Sequence, residues 1–140
     1  MPDTYSSETR SRVMRQIKSS DTSTELILRK ALYASGLRGW RCHRTDLPGK
    51  PDLVFNRVKV AVFVDGAFWH GHPKKFRPGQ SGEYWDKKIA RNIERDKLAT
   101  AALRESGWIV IRIWDFDIAK EPHAAVQLVV QTVEQARTAK

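Results

Sequence analysis

The segment Trp108-Ile109-Val110-Ile111-Arg112-Ile113-Trp114 carries six β-branched or aromatic residues in seven positions. Such a run favours extended backbone, and it predicts a strand buried on much of both faces. A second extended region precedes it. Leu53-Val54-Phe55 predicts a short strand, Asn56-Arg57 a hairpin tip, and Val58 to Asp65 a second strand. In that strand Val58, Val60, Val62 and Val64 face one way, and Lys59, Ala61, Phe63 and Asp65 the other.

Helical periodicity surrounds these strands. Thr22 and Glu25 have capping-box spacing. Leu26, Ile27, Leu28, Ala31, Leu32 and Leu37 follow, and Gly36 can end the helix, so the expected helix runs from about Ser23 to Ser35. Glu83 to about Ser106 reads as a long charged helix offering Ile89, Ile93, Leu98, Ala101, Ala102 and Leu103 to the core, with Gly107 as its stop. Pro122 suits the first turn of a last helix whose inner side carries Val126, Val129, Val130 and Val133. The order is helix, two or three strands, long helix, strand, helix. That is the pattern of an α/β fold with a mixed sheet. At 140 residues the chain has room for one sizeable core, so residues 1–140 are expected to form one domain. Residues 1–20 are polar and basic apart from Val13, Met14 and Ile17. They read as a short helix or an arm that orders on binding.

Charge narrows the partner. Lys and Arg number 25 against 16 Asp and Glu, a formal net charge of +9. A small domain with this surplus favours a polyanion, and nucleic acid leads because each neutralised phosphate releases counterions. Cys42 is the only cysteine, which excludes an intrachain disulfide and a cysteine-rich zinc site. No apolar run nears the ~18 residues of a membrane span. A cytoplasmic location is expected.

The chemistry-bearing stretch runs from Pro51 to His72. A hairpin can hold Asp52 near the end of the second strand, with Asp65 and His70 close by in the chain. A carboxylate beside a strand carbonyl suits Mg²⁺, and a histidine within reach of a water suits a general base. Together these could hydrolyse a phosphodiester. Each also has an ordinary reading, since Asp after Pro and Asp before Gly are both turn signals. His70 and His72 have no cysteine or third histidine nearby to complete a zinc site. Phe68-Trp69 lies in a Gly-flanked, polar stretch of a long loop over residues 66–82, where an exposed aromatic could stack on or wedge between bases.

The order and spacing of several segments resemble the very-short-patch-repair DNA mismatch endonuclease family, a branch of the PD-(D/E)xK nucleases with a restriction-endonuclease-like fold. They are Arg12 to Ile17, Asp21-Thr22 through Glu25, Leu47 to Asp52, Val62 to His72, Tyr84 to Ile89, Asn92 to Asp96 and Gly107 through Trp114. The resemblance implies a Mg²⁺-dependent endonuclease that nicks one strand of double-stranded DNA beside a T:G mismatch. It makes Asp52 a metal ligand together with the Val64 carbonyl. It makes His70 the general base and Glu25 a carboxylate assisting that histidine or its water. Phe68 and Trp69 match aromatics that enter the base stack from the major groove, and Met14, with Ile17 nearby, an element that wedges from the minor groove. Lys50, Arg91 and Arg95 are candidates for phosphate contact. Asp65 is expected as a second metal-site carboxylate or the acceptor of a metal-coordinated water. Asp96 is expected to support a His or an Arg.

The departures are informative. Where members of this family hold a structural zinc, this chain has Ala67, Lys74 and Phe116, and only His72 remains. That zinc is expected to be absent. No Lys follows Asp65 at the superfamily's usual spacing, which leaves the base to His70. Two alternatives stay open: an endonuclease that recognises sequence or structure without mismatch specificity, and a DNA-binding module without catalysis. A monomer fits the nicking of a single strand.

Overall fold

The computed structural model describes residues 23–67, 79 and 82–139. Helix α1 (Ser23–Ala34) leads into strands β1 (Trp40–Cys42), β2 (Leu53–Phe55) and β3 (Val60–Asp65). The long helix α2 (Glu83–Glu105), strand β4 (Ile109–Trp114) and helices α3 (Asp115–Lys120) and α4 (Pro122–Thr138) complete the order. The strands form one sheet in the order β1-β2-β3-β4. β1, β2 and β3 pair antiparallel, and β4 runs parallel to β3. The α/β class with a mixed sheet is as expected.

The parallel pair requires a crossover, and α2 lies within it. Helices α1, α3 and α4 cover one sheet face. There Leu28 and Leu32 meet Val60, Val62, Ile118, Val129 and Val133 in the main core. The opposite face is smaller: Val54, Ala61 and Phe63 cluster with Leu103 of α2. The alternation expected along β3 therefore holds, and each face has its own cover.

Several expectations change. The expected two or three strands before the long helix prove to be three, but the position of β1 was not read: its three residues form no pattern of their own, and pairing with β2 makes them a strand. α3 also adds a turn of helix directly after β4. Val58 and Lys59 belong to the β2–β3 turn, where Lys59 takes a left-handed φ of 56°. β4 is less buried than expected: Ile111 and Ile113 reach the main core, Val110, Arg112 and Trp114 on the other face are only partly buried, and Ile109 at the start of the strand is 43% exposed. Leu98 stands out in solvent at 62% exposure. Nine residues at about 100° each carry it to the far side of α2 from buried Ile89.

One turn determines how the chain enters β2. Gly49 has a φ of +74°, and a Cβ there would lie 2.9 Å from Ala99 Cβ and 3.1 Å from the Phe63 ring. Lys50 follows at a φ of 54°. This tight passage against α2 delivers Pro51, fully buried, and then Asp52.

Candidate active site

Asp52 precedes β2 but is already held by the sheet. Its N–H donates to the Val62 carbonyl and its own carbonyl accepts from His43 N–H, both at 3.0 Å. The side chain accepts a third bond, from Val64 N–H to Oδ2 at 2.7 Å. The aspartate expected to hold metal is thus fixed to the strand carrying Val64.

Glu25 comes from the first turn of α1 and is only 2% exposed. Thr22, its expected capping-box partner, lies outside the described residues. The Glu25 carboxylate faces the sheet. It lies 3.4 Å from His43 Nε2 and hydrogen-bonds with the Asp52 side chain. Glu25, His43 and Asp52 each offer a ligand atom, all within 4.8 Å of one another.

Two carboxyl groups sharing a hydrogen bond away from water cannot both be charged without a compensating cation. Burial first, then the hydrogen bond with Glu25, push Asp52 up to about 7; the Val64 N–H opposes them, and the charges of Glu25 and Asp65 add to the rise. This donor set fits a divalent cation, which would replace the shared proton and relieve the repulsion.

Asp65 is placed differently from Asp52. Arg112 Nη1 donates to its Oδ1 at 2.9 Å and Oδ2 at 3.2 Å. The same guanidinium donates from Nε to Thr100 Oγ1 at 2.9 Å and packs 3.9 Å from the centre of the Phe63 ring. Asp96 approaches Arg112 at 3.8 Å, in keeping with its expected supporting role. Asp65 acts on Asp52 through its charge while its oxygens are engaged by Arg112.

Of the basic candidates, Lys50, Arg91 and Arg95 are exposed, and Arg95 also bonds Asn92 at 2.7 Å. Met14, Ile17, Phe68, Trp69 and His70 lie outside the described residues, as do His72 and Lys74. The chain leaving β3 is anchored at Ala67, whose N–H donates to Asp115 Oδ1 at 3.3 Å. Ala67 is itself buried, and Phe116 stacks parallel to Trp114.

Sequence reasoning missed two residues here. His43 carries no motif, and only its pairing opposite Asp52 brings it to the site. Arg112 did carry a signal: it is the one charged residue in an otherwise apolar strand.

A family model described as DNA mismatch endonuclease Vsr matches residues 2–75, more than half the chain. The chain belongs to the Vsr family. It is 42% identical over 134 residues to the type II nicking enzyme V.NmeDIP of Neisseria meningitidis serogroup C, covering 94% of this chain and 90% of that protein. The type II nicking enzyme V.XorIIP of Xanthomonas oryzae is 40% identical over 85% of this chain and 88% of its own length. DNA mismatch endonuclease Vsr of Escherichia coli is 38% identical over 82% and 74%. The chain is thus a Vsr-family DNA endonuclease, and its acidic pair lies within the segment that the family model matches. No helix among the described residues is long and apolar enough to cross a membrane.

Proposed function

We propose that this protein nicks one strand of double-stranded DNA at or beside a T:G mismatch, using Mg²⁺ and acting as a monomer in the cytoplasm. The observation that carries the reading is the convergence of Glu25 and Asp52 at the end of the central hairpin, in a chain of this family. Asp52 and the Val64 carbonyl hold the cation, with the charge of Asp65 behind them. The bound cation supplies the positive charge that polarises the scissile phosphate. His70 takes the proton from the attacking water, and Glu25 orients that histidine or the water. Lys50, Arg91 and Arg95 neutralise flanking phosphates.

Specificity rests on the aromatic loop and the N-terminal segment. A mismatched pair is cheaper to unstack than a matched one, so wedging side chains select it by energy. Phe68 and Trp69 enter from one groove, Met14 and Ile17 from the other.

The test is a nicking assay on duplexes each carrying one mismatch, with and without Mg²⁺, at one salt concentration. Mg²⁺-dependent cleavage concentrated on the T:G duplex is the expected result. Equal cleavage of matched DNA would leave an endonuclease without mismatch specificity. No cleavage of any duplex with Mg²⁺ or Mn²⁺ would leave a binding module.

A further inference from the structure

His43 enters neither the sequence reading nor the mechanism above, yet the fold holds it firmly at the metal site. Its N–H bonds the Asp52 carbonyl at 3.0 Å, and its backbone takes a left-handed φ of 56°. Residues with a Cβ adopt that conformation at a cost, sustained only where the surroundings impose it. The imposed conformation brings Nε2 to 3.4 Å from Glu25 Oε2, with a donor of Asp52 also within 4.8 Å.

That spacing suits two ligands of one ion. Donors about 2.1 Å from a shared cation lie about 3.0 Å apart at a right angle and about 3.4 Å apart at the tetrahedral angle. The ring retains some exposure, 30% of its side chain, while Glu25 behind it has 3%. A cation entering the cluster would therefore meet an imidazole nitrogen as well as carboxylate oxygens. Mg²⁺ favours oxygen and gains little from nitrogen, whereas first-row transition ions gain from it.

We infer that His43, together with Glu25, is a further ligand of the cation at Asp52 and shifts its preference from Mg²⁺ toward Mn²⁺ and related borderline divalent cations. The inference rests on the cation binding proposed above at Asp52 and the Val64 carbonyl, and it adds the Glu25 carboxylate and the His43 ring to those ligands. His43→Asn replaces the nitrogen donor with an amide while tolerating the left-handed backbone; His43→Gln repeats the exchange with a longer amide. Calorimetric titration of the full chain, without DNA, compares Mn²⁺ and Mg²⁺ for the parent, both His43 variants and Asp52→Asn. Circular dichroism checks that each folds. Electron spin-echo modulation on the Mn²⁺ forms reports a directly bound ring nitrogen.

The expected result is loss of Mn²⁺ affinity by roughly tenfold or more on His43 substitution, a smaller change for Mg²⁺, and disappearance of the nitrogen modulation. If Asp52→Asn abolishes binding but either folded His43 variant keeps the parent's Mn²⁺ affinity and nitrogen signal, the His43 assignment is overturned and the carboxylate site stands. If Asp52→Asn binds both ions like the parent, the carboxylate site itself fails and the His43 assignment with it.

Discussion

Arg112 grips Asp65 with one nitrogen: Nη1 donates to both carboxylate oxygens, at 2.9 and 3.2 Å. The pair joins the end of β3 to β4 and, through Thr100, to α2. It is substantially buried, with side-chain exposures of 21% and 8%. Arg112→Met leaves Asp65 without this partner and is expected to cost about 3 kcal/mol. Adding Asp65→Asn should recover part of that loss. Urea unfolding checks both; a single variant within about 0.5 kcal/mol of the parent would remove the pair from the stability argument.

The raised carboxyl of Asp52 makes the metal-free protein sensitive to alkali. Its unfolded value is near 3.8 and its folded value about 7. A carboxyl shifted upward contributes stability that is fully present below about 3.8 and lost as pH rises through about 7. In chelator, Tm should therefore fall between pH 5 and pH 8. Mg²⁺ should raise Tm more at pH 8 than at pH 5, because proton and cation compete for the same oxygens. A Mg²⁺ shift independent of pH would contradict the shared site.

Gly49 and Gly36 both have left-handed backbones, but only Gly49 is enclosed. A Cβ at Gly36 meets nothing within 4 Å, whereas at Gly49 it strikes Ala99 and Phe63. Gly36→Ala should cost about 1 kcal/mol in backbone strain alone. Gly49→Ala should cost about 1–3 kcal/mol more through overpacking and lower nicking by shifting Asp52. Thermal melts and nicking rates for the two variants read the difference; equal melting temperatures would speak against the close passage.

Asp52→Asn and His70→Ala should each remove most nicking while leaving duplex affinity within a few-fold of the parent. Gel-shift titration beside single-turnover cleavage separates the effects. Parental rates from both variants would show that the chemistry lies elsewhere.

Trp69→Ala should weaken the preference for mismatched over matched duplex more than it weakens total affinity, since unstacking is easier at a mismatch. Competition binding with the two duplexes measures this. Equal losses on both would assign Trp69 to general binding.

The elements that could be read from sequence were those with strong periodicity or clear stops. α1, β2 and the hairpin tip appeared near their expected positions, and α2 ended where Gly107 follows. Asp52 stood out in the Pro51–His72 stretch, Glu25 entered the site only through the family resemblance, and packing brings the two together. β1 could not be read, because Trp-Arg-Cys becomes a strand only by pairing with β2. His43 was hidden for the same reason: its neighbour is set by register nine residues away in the chain. Leu98 shows the opposite failure, an apolar residue whose helical phase points it outward.

Because Asp52 is bonded through its backbone on both sides, its location is a matter of strand alignment. Sliding β2 by a single position along β3 would invert every side chain on it. Leu53 would leave the α1 side of the sheet, and the aspartate would lose its amide donor at Val64. Natural variants that lengthen or shorten this family of chains should therefore tolerate changes in the β1–β2 connection ahead of Leu47 far better than any insertion between Asp52 and Val64. Within that short ribbon, the fold's alignment and the enzyme's chemistry are inherited as one unit.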